Sequence, residues 1–200
     1  MLITIMTDAS HCPHTKCAGY GFWIASERGK KAGSGAFNFE VTTAPEAETL
    51  AICEALYHAI HVGLVQRLDT VLFQTDCIPA IEVYTGGRRR YKGREQDALE
   101  YLSLLASEYM LKIQFRHVKA HTTNQDQRSK CNAHCDIAAK NEMRRLREKK
   151  TNGKNKTSFS SKRGTGKDKV SRAGKPKTRR HSGFNERRKG IKQNVKAHSK

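Results

Sequence analysis

The order of the apolar segments constrains this 200-residue chain more than any other feature. Residues 2–7, 19–26 and 35–41 read as three strands, joined by connections short enough for an antiparallel meander. Thr42, Thr43 and Pro45 then punctuate. Leu50, Cys53, Tyr57 and Ile60 recur at helical spacing, with a second stripe at Ile52, Leu56 and Ala59, so a largely buried helix is predicted, ended by Gly63. A fourth strand follows over 70–75, a short helix over 78–84, and a longer one over 97–110 with Leu99, Leu102, Leu105 and Ala106 inward. Residues 111–118 alternate as a fifth strand, and a last helix runs from about 130 to 149. Strand–helix–strand crossovers are right-handed and leave their strands parallel. Strand four therefore belongs beside strand one, and strand five beside strand four. The predicted fold is α/β: a five-stranded mixed sheet of order 3-2-1-4-5 with helices on both faces.

That order gives the acids their meaning. Asp8 and Asp76 each follow an apolar strand run, so they fall at the same end of neighbouring central strands. Glu48 stands in the buried helix and Asp136 in the last one. Singly each has an ordinary role. Asp8 suits a turn, and Asp76 suits a helix cap before Ile78 and Pro79. Brought together they repel, and a convergent carboxylate cluster calls for a hard divalent cation, Mg²⁺ or Mn²⁺. Such ions serve phosphodiester cleavage in pairs, one activating water and one stabilising the leaving oxygen.

The charge is unevenly divided. Residues 151–200 hold 17 Lys and Arg against 2 Asp and Glu, which is +15 of the chain's +19. With two Phe, one Ile and two Val in that stretch, too little apolar surface is available to offset chain entropy. The expected organisation is a globular domain over 1–150 and a disordered basic tail over 151–200. A strongly basic tail fits sequence-independent binding to nucleic-acid phosphates, though a solubilising segment or a localisation signal has the same composition. No apolar run reaches the roughly 20 residues of a membrane span. An intracellular, cytoplasmic monomer is expected, with no membrane partner. In that compartment the six cysteines default to free thiols.

Six motifs in order carry a family resemblance: Thr7-Asp8-Ala9-Ser10, Gly19-Tyr20-Gly21, Thr42-Thr43 with Ala47-Glu48, Thr75-Asp76, Val118-Lys119-Ala120-His121, and Asn132 with Cys135-Asp136 and Ala139. The set, which spans about residues 1–149, resembles type 1 ribonuclease H. The resemblance implies a metal-dependent endoribonuclease that cuts the RNA strand of RNA/DNA hybrids. It implies two Mg²⁺ ions, replaceable by Mn²⁺, on Asp8, Glu48, Asp76 and Asp136, with Asp8 shared. It assigns His121 to a mobile loop, helping a proton or the product leave. It also implies substrate contacts from Ser10, Thr43 and Asn132, with Arg88, Arg89 and Arg90 as a short basic loop in place of the longer protrusion of some members.

The chain departs from the family pattern where Ala9 replaces the usual Gly and where Ala44 and Pro45 replace Asn residues on the substrate face. Both changes bear on substrate contact rather than on cleavage. The alternatives are a nucleic-acid-binding protein on the same fold, or a related nuclease for another duplex or a branched substrate. Cys12 and Cys17, with nearby His11 and His14, and Cys131 and Cys135, with His134, form two groups of zinc-like ligands. Their spacing matches no standard zinc pattern. A zinc site and a redox pair between Cys12 and Cys135 stand beside free thiols as readings of these four residues.

Overall fold

The computed structural model describes residues 1–119 and 127–158. The chain divides into two compact units, Met1–Arg147 and Glu148–Lys200. The first holds a five-stranded sheet in the order β3-β2-β1-β4-β5. Its strands are β1 (Leu2–Cys12), β2 (Cys17–Ser26), β3 (Gly29–Ala36), β4 (Thr70–Thr75) and β5 (Lys112–His117). The helices are α1 (Ala44–His61), α2 (Ile78–Thr85), α3 (Glu95–Glu108) and α4 (Gln127–Ser158). β1 pairs antiparallel with β2 and parallel with β4, as the crossover argument requires.

Alternation along β2 separates the two faces. Tyr20 and Phe22 point to one side, where Tyr20 reaches Glu54 and the Phe22 ring stacks on His58, both from α1. Gly19 and Gly21 point to the other. A Cβ on Gly19 would stand 2.5 Å from the Met143 backbone nitrogen, and one on Gly21 would collide with the Cys135 carbonyl. α4 therefore lies directly on the sheet's backbone, and only glycine allows that approach. The core between sheet and α1 is made by Ile3, Ile5, Ile24, Phe73, Leu50, Ile52 and Leu56, all fully buried.

α1 begins at the predicted punctuation. Thr43 Oγ1 accepts from the Glu46 amide at 3.2 Å, and Pro45 occupies the first turn, where its missing N–H costs nothing. Two expectations are corrected. The third strand is Gly29–Ala36 instead of 35–41, because β2 turns back at once and forms an edge strand rich in Gly and Lys that carries no apolar alternation. Phe37 and Val41, which suggested the later strand, are core residues on the connection that follows. α4 continues to Ser158, eight residues into the segment expected to be disordered; residues 159–200 lie outside those described.

Candidate active site

The parallel pairing of β1 and β4 places the first two acids. Met6 stands opposite Gln74, so Asp8 and Asp76, two residues further along each strand, emerge side by side. Glu48 comes from the second turn of α1, its Oε1 accepting from the Ala9 amide at 3.0 Å. One ligand oxygen from each of Asp8, Glu48 and Asp76 lies within 4.8 Å of the other two. Asp8 is 7% exposed and Glu48 8%. Asp136 reaches the same cleft from α4 but ion-pairs with Lys140 at 2.7 Å, and it stands outside that tight group of three.

Burial and mutual repulsion set the electrostatics. Burial first, then the Asp76 charge, pushes the Asp8 carboxyl up to about 6. Burial and Asp8 raise Glu48 well above the usual carboxylate range. Both shifts oppose two negative charges in one low-dielectric place. Among the described residues, Glu48 Oε2 and Asn132 Oδ1 are buried and meet no hydrogen-bond donor. Orphaned buried oxygens are rare in folded proteins and ask for an explanation. Close-set hard oxygens with raised proton affinity and a free lone pair fit a divalent cation, which would satisfy Glu48 and relieve the repulsion.

The cleft around them is about 440 Å³ and is lined by the four acids with Lys119, Ser129, Asn132 and Ala133. Asn132 stands one turn before Asp136 on α4, so both face inward as the spacing predicts. Lys119 and Ser129 enlarge the sequence-derived set. Lys119 could have been found: it follows β5, whose C-terminal end lies at the same sheet edge as those of β1 and β4. Beyond Glu48 and Asp76 the cleft opens onto a more apolar shelf of Ala44, Pro45, Cys77, Ile78 and Pro79.

Other expected residues are placed differently. Ser10 is half-buried on the Asp8 face of β1. Thr43 spends its side-chain oxygen on the α1 cap. Arg88 turns inward to Glu95 at 3.2 Å, whereas Arg89 and Arg90 are exposed. His121 lies outside the described residues. The cysteines do not assemble. Cys12 and Cys17 face each other on the last rung of β1 and β2. Cys131 and Cys135 belong to an apolar cluster with Met6 and Val118. Met6 is six strand residues from Cys12, roughly 20 Å. The structure forms neither a four-cysteine zinc site nor a Cys12–Cys135 pair, and among the described residues the one group with metal-ligand spacing is Asp8, Glu48 and Asp76.

Comparison with known proteins agrees with this geometry. No curated protein matches the sequence. Among solved structures, the chain is similar to the N-terminal RNase H domain of a Mycobacterium tuberculosis protein, solved as a fusion with maltose-binding protein. The TM-score is 0.58 at 16% identity, over 74% of this chain and 97% of that one. It is similar to LC11-RNase H1 in complex with an RNA/DNA hybrid, with TM-score 0.56 and 21% identity over 72% and 98% of the two chains. RNase H1 from the halophilic archaeon Halobacterium salinarum gives TM-score 0.53 at 17% identity over 71% and 97%. These likenesses establish the fold, and the RNase H family model matches residues 2–144, so the chain belongs to the RNase H family.

Proposed function

We propose that this protein is an endoribonuclease that hydrolyses the RNA strand of RNA/DNA hybrids, with two Mg²⁺ ions held by Asp8, Glu48, Asp76 and Asp136. The observation that carries the reading is the meeting of the acids in one cleft at the C-terminal ends of β1 and β4, with an orphaned Glu48 oxygen among them. When bound, the ions supply an activated water and charge stabilisation at the leaving oxygen. The chain's own groups do the rest. Asp8, within reach of both Glu48 and Asp76, would hold the ions together with them. Asn132, whose amide oxygen meets no donor among the described residues, hydrogen-bonds the RNA strand beside the cut. Lys119 brings a positive charge to the cleft and steadies the phosphate there. His121, two residues further on, assists proton transfer or product departure. The domain boundary lies near residue 150, and the protein acts as a monomer. The basic segment 151–200 holds substrate phosphates without reading bases, so its contribution weakens as salt rises.

A second reading, cleavage of a different duplex, is favoured by the apolar shelf beside Glu48 and Asp76, which offers few hydrogen bonds to a groove edge. Matched RNA/DNA, RNA/RNA and DNA/DNA duplexes, incubated with and without Mg²⁺, separate the two. Cleavage confined to the hybrid and dependent on Mg²⁺ is expected. Comparable cutting of a second duplex would move the assignment to the broader nuclease, and no cutting of any duplex would leave the binding reading.

A further inference from the structure

Two of the buried carboxylates outside the cleft hold the same loop. Glu46 is 1% exposed and Glu95 0%. Glu46 Oε2 accepts from the Thr42 amide at 2.7 Å and from Thr42 Oγ1 at 2.6 Å. Its Oε1 accepts from the Arg94 amide at 2.9 Å. Glu95 Oε2 accepts from the Lys92 amide at 2.8 Å, and its Oε1 from Arg88 Nη2 at 3.2 Å. Gly93 sits with φ +56°, and a Cβ there would collide with the Glu46 carboxylate. The Arg94 guanidinium lies over the Phe39 ring, 4.0 Å from its centroid.

The bonds from Arg88, Lys92 and Arg94 all come from one segment. Residues 88–94 carry five cations in seven positions: Arg88, Arg89, Arg90, Lys92 and Arg94. Like charges so close repel, and a loop free to move would spread them. Here both ends are closed onto buried acids. Burying a carboxylate is costly unless hydrogen bonds compensate, and here part of that compensation comes from the loop itself. The bonds leave Arg89, Arg90, Tyr91 and Lys92 exposed. The loop is tied to the first turn of α1, the helix that also delivers Glu48 to the cleft.

We infer that Glu46 and Glu95 are positioning residues that preset the 88–94 loop as a clamp for the sugar–phosphate backbone of the substrate, with Arg89, Arg90 and Lys92 as its phosphate contacts. The inference rests on the proposed function for the identity of that substrate. Arg88 anchors the loop through Glu95 and does not face the ligand. Fixing the loop in advance lowers the ordering cost that binding would otherwise meet.

The test compares the full-length protein with Glu46→Gln, Glu95→Gln, the double variant Arg89→Ala/Arg90→Ala, and that double variant combined with Glu95→Gln. The readings are KM and kcat on an RNA/DNA hybrid, and Kd for the same hybrid in chelator across a salt series. Each acid variant should raise KM and Kd by about 3–10-fold while kcat holds within about twofold. The slope of log affinity against log salt should flatten by about 1–2. The arginine double variant should do the same in the wild-type background but add little on top of Glu95→Gln, because a loosened loop no longer presents its arginines. Folded acid variants with unchanged Kd and slope, or full additivity, would overturn the clamp. If Glu46→Gln does not fold, Glu95→Gln decides by the same readings. A wild type that cuts no hybrid but whose chelator Kd responds to the variants would sink the proposed function and leave the clamp standing.

Discussion

The two ends of the central strands hold buried acids in opposite conditions. Asp69, just before β4, is 2% exposed; its two oxygens accept from Arg28, and one also accepts from the Gln66 amide at 2.8 Å. The Arg28 hydrogen bonds in particular hold its carboxyl down at about 2. At the other end Asp8 and Glu48 are buried nearly as well, but their charged neighbours are acids and both are raised. Burial alone therefore does not mark a functional acid. An acid with its counter-ion in the chain belongs to the fold. An acid packed against acids, with an oxygen left unpartnered, is built for a ligand from outside.

Substitutions at the two ends should fail in different ways. The largest effect is expected from Asp8→Asn or Asp76→Asn, which should abolish Mg²⁺-dependent turnover while the protein stays folded; circular dichroism and a cleavage assay check both halves. His121→Ala should slow turnover by roughly 10–100-fold, the usual range for general acid–base assistance, without the complete loss expected at Asp8. Asp69→Asn should do the reverse of Asp8→Asn. It should lower stability by about 2 kcal/mol, measured by denaturant unfolding, because Arg28 loses its buried partner, and kcat should be unchanged. Loss of activity at Asp69 without loss of stability would break the comparison.

The smallest effect is the most specific, since the two ends respond to pH with opposite sign. The folded Asp8 carboxyl, at about 6, titrates above its ordinary 3.8, so the folded protein holds that proton more tightly. Its contribution to stability rises as pH falls from 7 through 6 toward 4. The folded Asp69 carboxyl, at about 2, titrates below 3.8. Its contribution is full above about pH 4 and is lost as pH falls toward 2. Each amounts at full extent to roughly 2–3 kcal/mol. Thermal unfolding in chelator from pH 3 to 8 should show a gain between pH 7 and 5 that Asp8→Asn removes and saturating Mg²⁺ suppresses. An identical limb in Asp8→Asn would show that another group causes it.

What the sequence reveals follows from where the physics is local. β4 is legible to the residue because Val71, Leu72 and Phe73 form an apolar run buried on both sides between threonines, and the crossover rule then puts Asp8 and Asp76 together. β3 is hidden because Gly29–Ala36 is an edge strand held by backbone pairing, with no apolar face to announce it. The inward turn of Arg88 is equally silent, since it depends on Glu95, seven residues away and fully buried. Glu46 resembles a surface acid at a helix start until the Arg94 amide arrives from 48 residues further on. The cysteine groups show the opposite failure. Their residue types, close to two of the acids, suggest a shared site, but the length of β1 sets the two pairs apart.

The Asp8, Glu48 and Asp76 cluster is proposed as a divalent-ion centre for cutting RNA in a hybrid. The most direct measurement is cleavage of an RNA/DNA hybrid with labelled RNA by wild type and Asp76→Asn side by side, across a Mg²⁺ titration. The account predicts internal cuts in the RNA strand that rise with Mg²⁺ for wild type, an intact DNA strand, and no cutting by the variant at any concentration. Equal cleavage by both proteins, or wild-type cleavage that persists in chelator, would contradict it.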